Sequence, residues 1–178
     1  MTSVLVLYRS RSGHTARIAR RMCDAIDEAG GESEMMDVVE AIHEGVDLDA
    51  PDVIALGAPV YYGTYDDEVF EFVETNRQQL EAKPHSFFNV SVTARTAEKA
   101  TIEGNRYMQK FLERSSWQPR DLKVLAGKVD YPSWGPLDTV AIQMIMKFTG
   151  GPTDRHAVID YTDWDDVAAY GRYLMTLA

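Results

Sequence analysis

The chain has 178 residues and a mass of 20.0 kDa, which is enough for one domain with a sizeable hydrophobic core. Its 45% apolar and 26% charged residues exclude the disordered and low-complexity classes. The net charge of −10 argues against a free-standing nucleic-acid-binding protein, because such proteins must neutralise phosphates. The single cysteine, Cys23, excludes an intrachain disulfide framework and a metal cluster held by several thiolates, so we expect a cytoplasmic protein.

The chain begins with an apolar run over residues 3–8, which predicts a buried strand that ends in a polar loop. The following segment predicts an amphipathic helix, because Ile18, Met22 and Ile26 recur at helical spacing until Gly30 ends the pattern.

The middle of the chain repeats this alternation. Apolar runs predict strands at 34–38 and 53–57, with a loop between them. A helix is then predicted to begin at Asp66 and to end before Pro84, and a further strand covers 86–92.

In the last third, a helix is predicted over 104–114 and a strand over 124–129. A short strand at 158–161 and a final helix that begins at Thr162 complete the chain. The connection over 131–157 is longer than a typical loop, so it predicts a helical insertion in or after the last strand.

Strands that alternate with helices predict an α/β fold in which a parallel sheet is covered by helices on both faces. We therefore expect a single domain over 1–178, a three-layer α/β/α sandwich around a five-stranded parallel sheet. In open sheets of this kind ligands bind beyond the carboxyl ends of the strands, so the loops after the first, third and fourth strands are the candidate site.

The loop after the first strand carries hydroxyls, a glycine and the start of a helix, a combination that suits a single phosphate. Its candidate ligand-binding residues are Ser10, Arg11, Ser12, Gly13, His14 and Thr15. The alternative is an ordinary helix cap with Ser12 or Thr15 as the capping residue.

The loops after the third and fourth strands are suited to a flat conjugated ring, because tyrosines can clamp its faces while polar groups contact its edge. The candidate residues are Pro59, Tyr61, Tyr62 and Gly63 in one loop and Ser91, Thr93, Ala94 and Arg95 in the other. The alternative is that the tyrosines merely cover the end of the sheet.

Together these loops resemble the flavodoxin-like arrangement, in which the first loop holds the phosphate of FMN and the other two hold its ring. At a finer level the whole chain resembles the bacterial menaquinone-dependent protoporphyrinogen dehydrogenases. The motifs that carry this likeness are Ser10 to Thr15, Tyr62-Gly63, Ala94-Arg95, Ile145-Met146-Lys147, Gly150-Gly151 and Tyr161-Thr162-Asp163-Trp164. Pro59 and Tyr61 depart from the expected pattern, which puts the ring environment in doubt.

The resemblance implies an FMN-dependent oxidoreductase of haem synthesis, with protoporphyrinogen IX as substrate and a quinone as acceptor. It leaves two alternatives, a flavodoxin-type electron-transfer protein without its own substrate and an FMN-dependent quinone reductase. No side chain is assigned as a catalytic acid or base. Arg95 is open to two interpretations, contact with a substrate propionate or support of its own loop.

The insertion contains an apolar segment, 137–148, that predicts a helix of about three turns, too short to cross a bilayer. Three interpretations stay open for it: a lid for an apolar substrate, a transient contact with the inner face of the cell membrane, or a helix buried in the core. The four histidines lack metal-ligand spacing, so no metal site is expected. The sequence does not predict the oligomeric state.

Overall fold

The computed structural model describes all 178 residues. Seven strands are present: β1 (Ser3–Tyr8), β2 (Glu32–Asp37), β3 (Val53–Pro59), β4 (His85–Ser91), β5 (Asp121–Ala126), β6 (Lys128–Asp130) and β7 (Val158–Asp160). The helices are α1 (His14–Glu28), α2 (Val38–Glu44), α3 (Asp67–Thr75), α4 (Arg77–Glu81), α5 (Arg106–Arg114), α6 (Pro136–Thr149) and α7 (Trp164–Leu174). No helix combines the length and the apolar character that crossing a membrane requires.

The central sheet has five parallel strands in the order β2-β1-β3-β4-β5, which confirms the predicted fold class. Successive residues of β1 face opposite sides: Val4 and Val6 pack with α1 and α7, whereas Leu5 and Leu7 pack with α2, α3 and α5. Because helices cover both faces, the central strands β1 and β3 are almost entirely apolar, as the sequence pattern predicted, whereas β2, β4 and β5 also carry polar residues.

Helices α1 and α7 approach each other closely at Gly171. A Cβ atom at Gly171 would lie 2.6 Å from the carbonyl oxygen of Met22, so only glycine permits this packing. The contact fixes the start of α1 relative to the carboxyl edge of the sheet.

Two predicted elements are each divided in the structure, and a short helix was missed. Helix α2 begins directly after β2 because the Asp37 carboxylate accepts a hydrogen bond from the Val39 N–H (2.8 Å). The long helix predicted after Asp66 is two helices, since the Asn76 side chain donates to the Phe72 carbonyl (2.9 Å) where α3 ends. The strand predicted over 124–129 is two strands, β5 and β6, separated at Gly127.

The last strand lies outside the main sheet. The short strand β7 does not extend the main sheet but pairs antiparallel with β6, with Val129 opposite Ile159. The insertion between them therefore leaves from and returns to a small hairpin at the carboxyl edge. This placement sets α6 beside the loops that were predicted to bind the ligand.

Candidate functional site

The loops at the carboxyl edge enclose a cleft with two adjoining compartments. One compartment is largely apolar and open on one side. It is lined by Ser12, His14, Thr15, Pro59, Val60, Tyr61, Tyr62, Gly63, Val90, Ser91, Val92, Thr93, Tyr107, Gly127, Lys128, Trp134, Ile142, Ile145 and Met146. The second, polar compartment is lined by Ser12, Gly13, His14, Arg17, Tyr61, Lys128, Asp130, Ser133 and Trp134.

The polar compartment lies at the N-terminus of α1. Gly13 is the N-cap residue and has a φ of 85°, in the left-handed region that favours glycine, and no side chain caps the helix. Neither Ser12 nor Thr15 is therefore the capping residue that the alternative interpretation required. Uncapped N–H groups at a helix N-terminus carry partial positive charge and bind anions.

Two cations and a hydroxyl complete this compartment. Arg17 lies over the ring of Trp164 with its Cζ atom 5.0 Å from the ring centroid. The Lys128 ammonium is 2.6 Å from the Asp130 carboxylate, and the Ser133 hydroxyl donates to the Asp130 carbonyl (2.8 Å). Lys128 is paired with the Asp130 carboxylate, so the positive charge left for an anionic group comes from Arg17 and from the uncapped N–H groups of α1.

Two residues predicted for the phosphate loop lie outside the cleft lining. The Ser10 hydroxyl accepts a hydrogen bond from the Gly13 N–H (3.0 Å) and so shapes the loop. The Arg11 guanidinium binds the buried Asp66 carboxylate through Nε (3.0 Å) and lies 5.1 Å from the centroid of the Tyr61 ring. Its charge is therefore used within the protein rather than in the cleft.

The tyrosine loop forms a tight turn over 61–64. Reciprocal backbone hydrogen bonds join Tyr61 and Thr64 (2.9 and 3.0 Å), and the central residues Tyr62 and Gly63 have φ values of 50° and 76°. Two positive φ values are typical of a type I′ turn, in which a tyrosine is rare. In many proteins a strained backbone of the kind found at Tyr62 occurs at a functional position.

The tyrosines divide between the cleft and the core. The Tyr61 hydroxyl donates to Ser12 Oγ (3.2 Å) and so joins the two loops, and Tyr62 is 47% exposed. Tyr65 is buried under the sheet end beside Asn89, and burial raises the pKa of its hydroxyl. The interpretation that the tyrosines only cover the sheet therefore holds for Tyr65 alone.

The loop after β4 contributes two of its four predicted residues to the lining. Ser91 and Thr93 face the apolar compartment, and their hydroxyl oxygens are 3.1 Å apart. Ala94 packs into the core, and the Arg95 guanidinium donates to the carbonyls of Val92 (3.1 Å) and Thr149 (2.9 Å). Arg95 thus supports the loop and the end of α6, which was one of its two interpretations.

Helix α6 forms the apolar wall of the cleft through Ile142, Ile145 and Met146. Of its 14 residues only Thr139 and Met146 are buried, so the interpretation as a core helix is wrong. Its opposite face exposes a continuous apolar stripe made of Leu137, Val140, Met144 and Phe148.

His14 connects the start of α1 to the segment before α7. The Thr162 hydroxyl donates to the Ala126 carbonyl (3.0 Å), so it accepts from the Nε2–H of His14 (2.8 Å). The neutral ring then leaves Nδ1 as a buried acceptor without a protein partner. Burial lowers the pKa of His14 below its ordinary 6.5, although the Asp160 carboxylate opposes this effect.

The lining of the cleft also contains residues that were not predicted from the sequence. Among them are Val60, Val90, Val92, Tyr107, Gly127, Lys128, Trp134 and Arg17. The rule that ligands bind at strand carboxyl ends also covers the segment after β5, which supplies Gly127 and Lys128. Tyr107 comes from the first turn of α5, whose N-cap Asn105 accepts hydrogen bonds from the N–H groups of Tyr107 and Met108. No group of metal-ligating side chains occurs.

Comparison with known proteins places this geometry in context. Residues 5–156 match the family model described as a flavodoxin domain. The chain is 34% identical over 173 residues to the protoporphyrinogen IX dehydrogenase [quinone] of Escherichia coli, covering 97% of this chain and 94% of the relative. It is 36% identical to the Leishmania major protein of the same name, covering 93% and 71% respectively.

The structure is also similar to a solved structure of low sequence identity. The rubredoxin oxygen:oxidoreductase of Desulfovibrio gigas superposes with a TM-score of 0.55 at 12% identity. The match covers 99% of this chain and 36% of that protein, and it supports the fold alone.

Proposed function

The chain belongs to the flavodoxin domain family and, within it, groups with the protoporphyrinogen IX dehydrogenases, and we propose that it dehydrogenates protoporphyrinogen IX with bound FMN and a quinone acceptor. When bound, FMN supplies the redox chemistry by accepting electron pairs from the porphyrinogen and passing them to the quinone. The protein's own residues bind the cofactor, orient the substrate and exclude water.

The donors and acceptors of the cleft fit FMN. The uncapped N-terminus of α1, with Arg17 nearby, suits one phosphate. The His14 ring, which lines both compartments, would lie beside the ribityl chain. Tyr61 and Tyr62 would contact the ring.

The apolar wall formed by α6 carries the proposal. An electron carrier needs an accessible ring edge but no apolar wall, whereas a tetrapyrrole or a quinone gains binding energy from one. That wall consists of Ile142, Ile145 and Met146, although the chain as a whole is acidic, with a net charge of −10. The exposed apolar stripe of α6 would contact the membrane, which holds the apolar quinone. Lys147 is the only basic residue between 131 and 154, so this contact would be mainly apolar.

An anaerobic assay tests the proposal. The purified protein is loaded with FMN and mixed with protoporphyrinogen IX, and we expect the flavin absorbance to bleach and then to recover when menadione is added. Extraction of FAD instead of FMN would contradict the cofactor assignment. Bleaching by a nicotinamide donor but not by the porphyrinogen would favour the quinone reductase, and no bleaching by either would favour the electron carrier.

A matched pair of variants tests the wall itself. Ile145→Gln places an amide on the cleft side of α6, and Met144→Gln places the same amide on the exposed side. We expect Ile145→Gln to raise the KM for protoporphyrinogen about tenfold, since a buried amide without a partner costs on the order of 1–3 kcal/mol. Met144→Gln should leave that KM unchanged. Equal effects of the two variants would remove α6 from the substrate site.

A further inference from the structure

Helix α6 is bound at its two ends by side chains from two different loops of the cleft. We propose that Arg95 and Tyr62 are positioning residues that hold α6 across the cleft. Arg95 fixes the C-terminal end of the helix, and the weaker bond to Tyr62 allows the N-terminal end to open. The helix would then open from its first turns while the end near Gly150 stays in place. Of the measurements that test this proposal, only the turnover kinetics rest on the proposed function.

The C-terminal attachment is charge-assisted and half-buried. Arg95 donates from Nη1 to the Val92 carbonyl (3.1 Å) and from Nη2 to the Thr149 carbonyl (2.9 Å). A guanidinium is favourable at this position because the last carbonyls of a helix carry partial negative charge. One planar group therefore joins the loop after β4 to the last turn of α6.

The chain that follows α6 is fixed at the same place. A Cβ atom at Gly151 would lie 3.1 Å from Arg95 Nη2 and 2.4 Å from Met146 Sδ, so the backbone passes close to both. The hydroxyl of Tyr131, which is 2% exposed, donates to the Pro152 carbonyl (2.6 Å). The C-terminal end of α6 thus has several buried or half-buried attachments.

The only side-chain hydrogen bond to the first turn of α6 is exposed, although Thr139 in the same turn is buried. The Tyr62 hydroxyl donates to the carboxylate of Asp138, in the first turn of α6, and this bond raises the pKa of Tyr62. Both side chains are exposed, and Gly135 gives the helix no side-chain cap. Exposed polar contacts contribute little free energy, so this end opens more easily than the other.

The asymmetry has a functional consequence for the cleft. Over its 14 residues α6 spans about 21 Å, so pivoting near Thr149 moves the first turns much farther than the last. Opening at the Tyr62 end would admit a large apolar substrate beside Ile142 without disturbing the loop that Arg95 supports. Because Tyr62 belongs to the tyrosine turn, a ligand that orders this turn would also favour the closed helix.

Amide hydrogen exchange tests the asymmetry on the full-length protein with FMN added. Tyr62→Phe removes only the hydroxyl, and we expect amides 140–143 to exchange about threefold faster while amides 146–149 are unchanged. Arg95→Gln should accelerate amides 146–149 about tenfold, because it removes a charge-assisted attachment. Arg95→Lys, which keeps the charge, should restore exchange to within about threefold of the wild type.

Arg114→Gln is the matched control, since Arg114 also makes a polar bond, to Asp67, but lies outside the cleft lining. It should change neither group of amides. In turnover, Tyr62→Phe should raise the KM for protoporphyrinogen about threefold at constant kcat, which a merely structural hydroxyl would not do. Equal acceleration of both ends in Tyr62→Phe, or unchanged amides 146–149 in Arg95→Gln, would overturn the proposal. Failure to oxidise the porphyrinogen would count against the proposed function and would leave the exchange result valid.

Discussion

Helices α1 and α6 are nearly equal in length and line the same cleft, yet they are held in place by different forces. Of the 15 residues of α1, seven are buried: Thr15, Ile18, Ala19, Met22, Cys23, Ala25 and Ile26. Helix α6 buries two of 14, packs on a small apolar cluster through Met146 and is also attached by polar bonds near its ends. The end of the cleft that we propose for the phosphate is therefore part of the packed fold, whereas the end proposed for the substrate is less deeply packed.

This difference separates stability from function. A helix held by packing cannot move without exposing apolar surface, so its N-terminus is preorganised for an anion. A helix held by a few hydrogen bonds opens at a cost of a few kcal/mol at most, which suits the admission of a bulky substrate. We therefore propose that the same cleft combines a rigid cradle for the cofactor with a movable wall.

The largest expected effect comes from one pair of identical substitutions in the two helices. Met22 is fully buried in α1, so Met22→Ala should lower the free energy of unfolding by about 2–5 kcal/mol. Met144 is 59% exposed in α6, so Met144→Ala should change it by less than about 0.5 kcal/mol. Urea unfolding of both variants measures the difference, and similar losses would show that α6 is packed as tightly as α1.

A smaller effect is expected at the glycine that begins α1. Gly13 and Gly30 have φ values of 85° and 86°, and a Cβ atom at either would have no neighbour within 4 Å. Gly13→Val and Gly30→Val should therefore each cost about 1–2 kcal/mol of stability through backbone strain alone. Only Gly13→Val should also weaken FMN binding, by about tenfold or more, because only this glycine lines the polar compartment.

Flavin fluorescence titration of the two variants checks this prediction. Gly30 lies at the other end of α1 and controls for the loss of stability. Equal FMN affinities in both variants would argue that the phosphate binds elsewhere in the cleft.

The fold was predictable from the sequence because the central strands β1 and β3 are buried on both faces and their apolar runs are unambiguous. The boundaries that failed depend on single side-chain hydrogen bonds. Asp37 starts α2 and Asn76 ends α3 through contacts that no periodicity encodes. The pairing of β7 with β6 was also unpredictable, since three-residue strands carry too little pattern to specify a partner.

The candidate site was predictable at the level of loops but not of individual side chains. The rule for parallel sheets identified the three loops that surround the cleft, yet Ala94 and Arg95 turn away from it. They belong to a short 3-10 helix over 92–95, where successive side chains point in different directions. Lys128 and Trp134 were missed because the cleft is completed by the insertion, whose path depends on the β6–β7 hairpin.

The smallest expected effect is a pH dependence that arises at His14, beside the packed end of the cleft. Burial lowers the pKa of this imidazole in the folded state, and the positive charges of Arg17 and Lys128 act in the same direction. The unfolded chain therefore binds a proton more readily than the folded one. It follows that stability contributed by neutral His14 is present above the unfolded pKa near 6.5 and is lost as the pH falls through it.

His14→Gln isolates this contribution, because the glutamine amide can still donate to the Thr162 hydroxyl but does not titrate in this range. Between about pH 7.5 and pH 5.5 we expect the wild type to lose more thermal stability than the variant, since the two proteins differ only at residue 14. The carboxylate of Asp160, 3.7 Å from Nε2, stabilises the protonated ring and keeps the difference small. If the melting temperature of His14→Gln falls as far as that of the wild type over this pH interval, protonation of His14 costs the folded state no free energy.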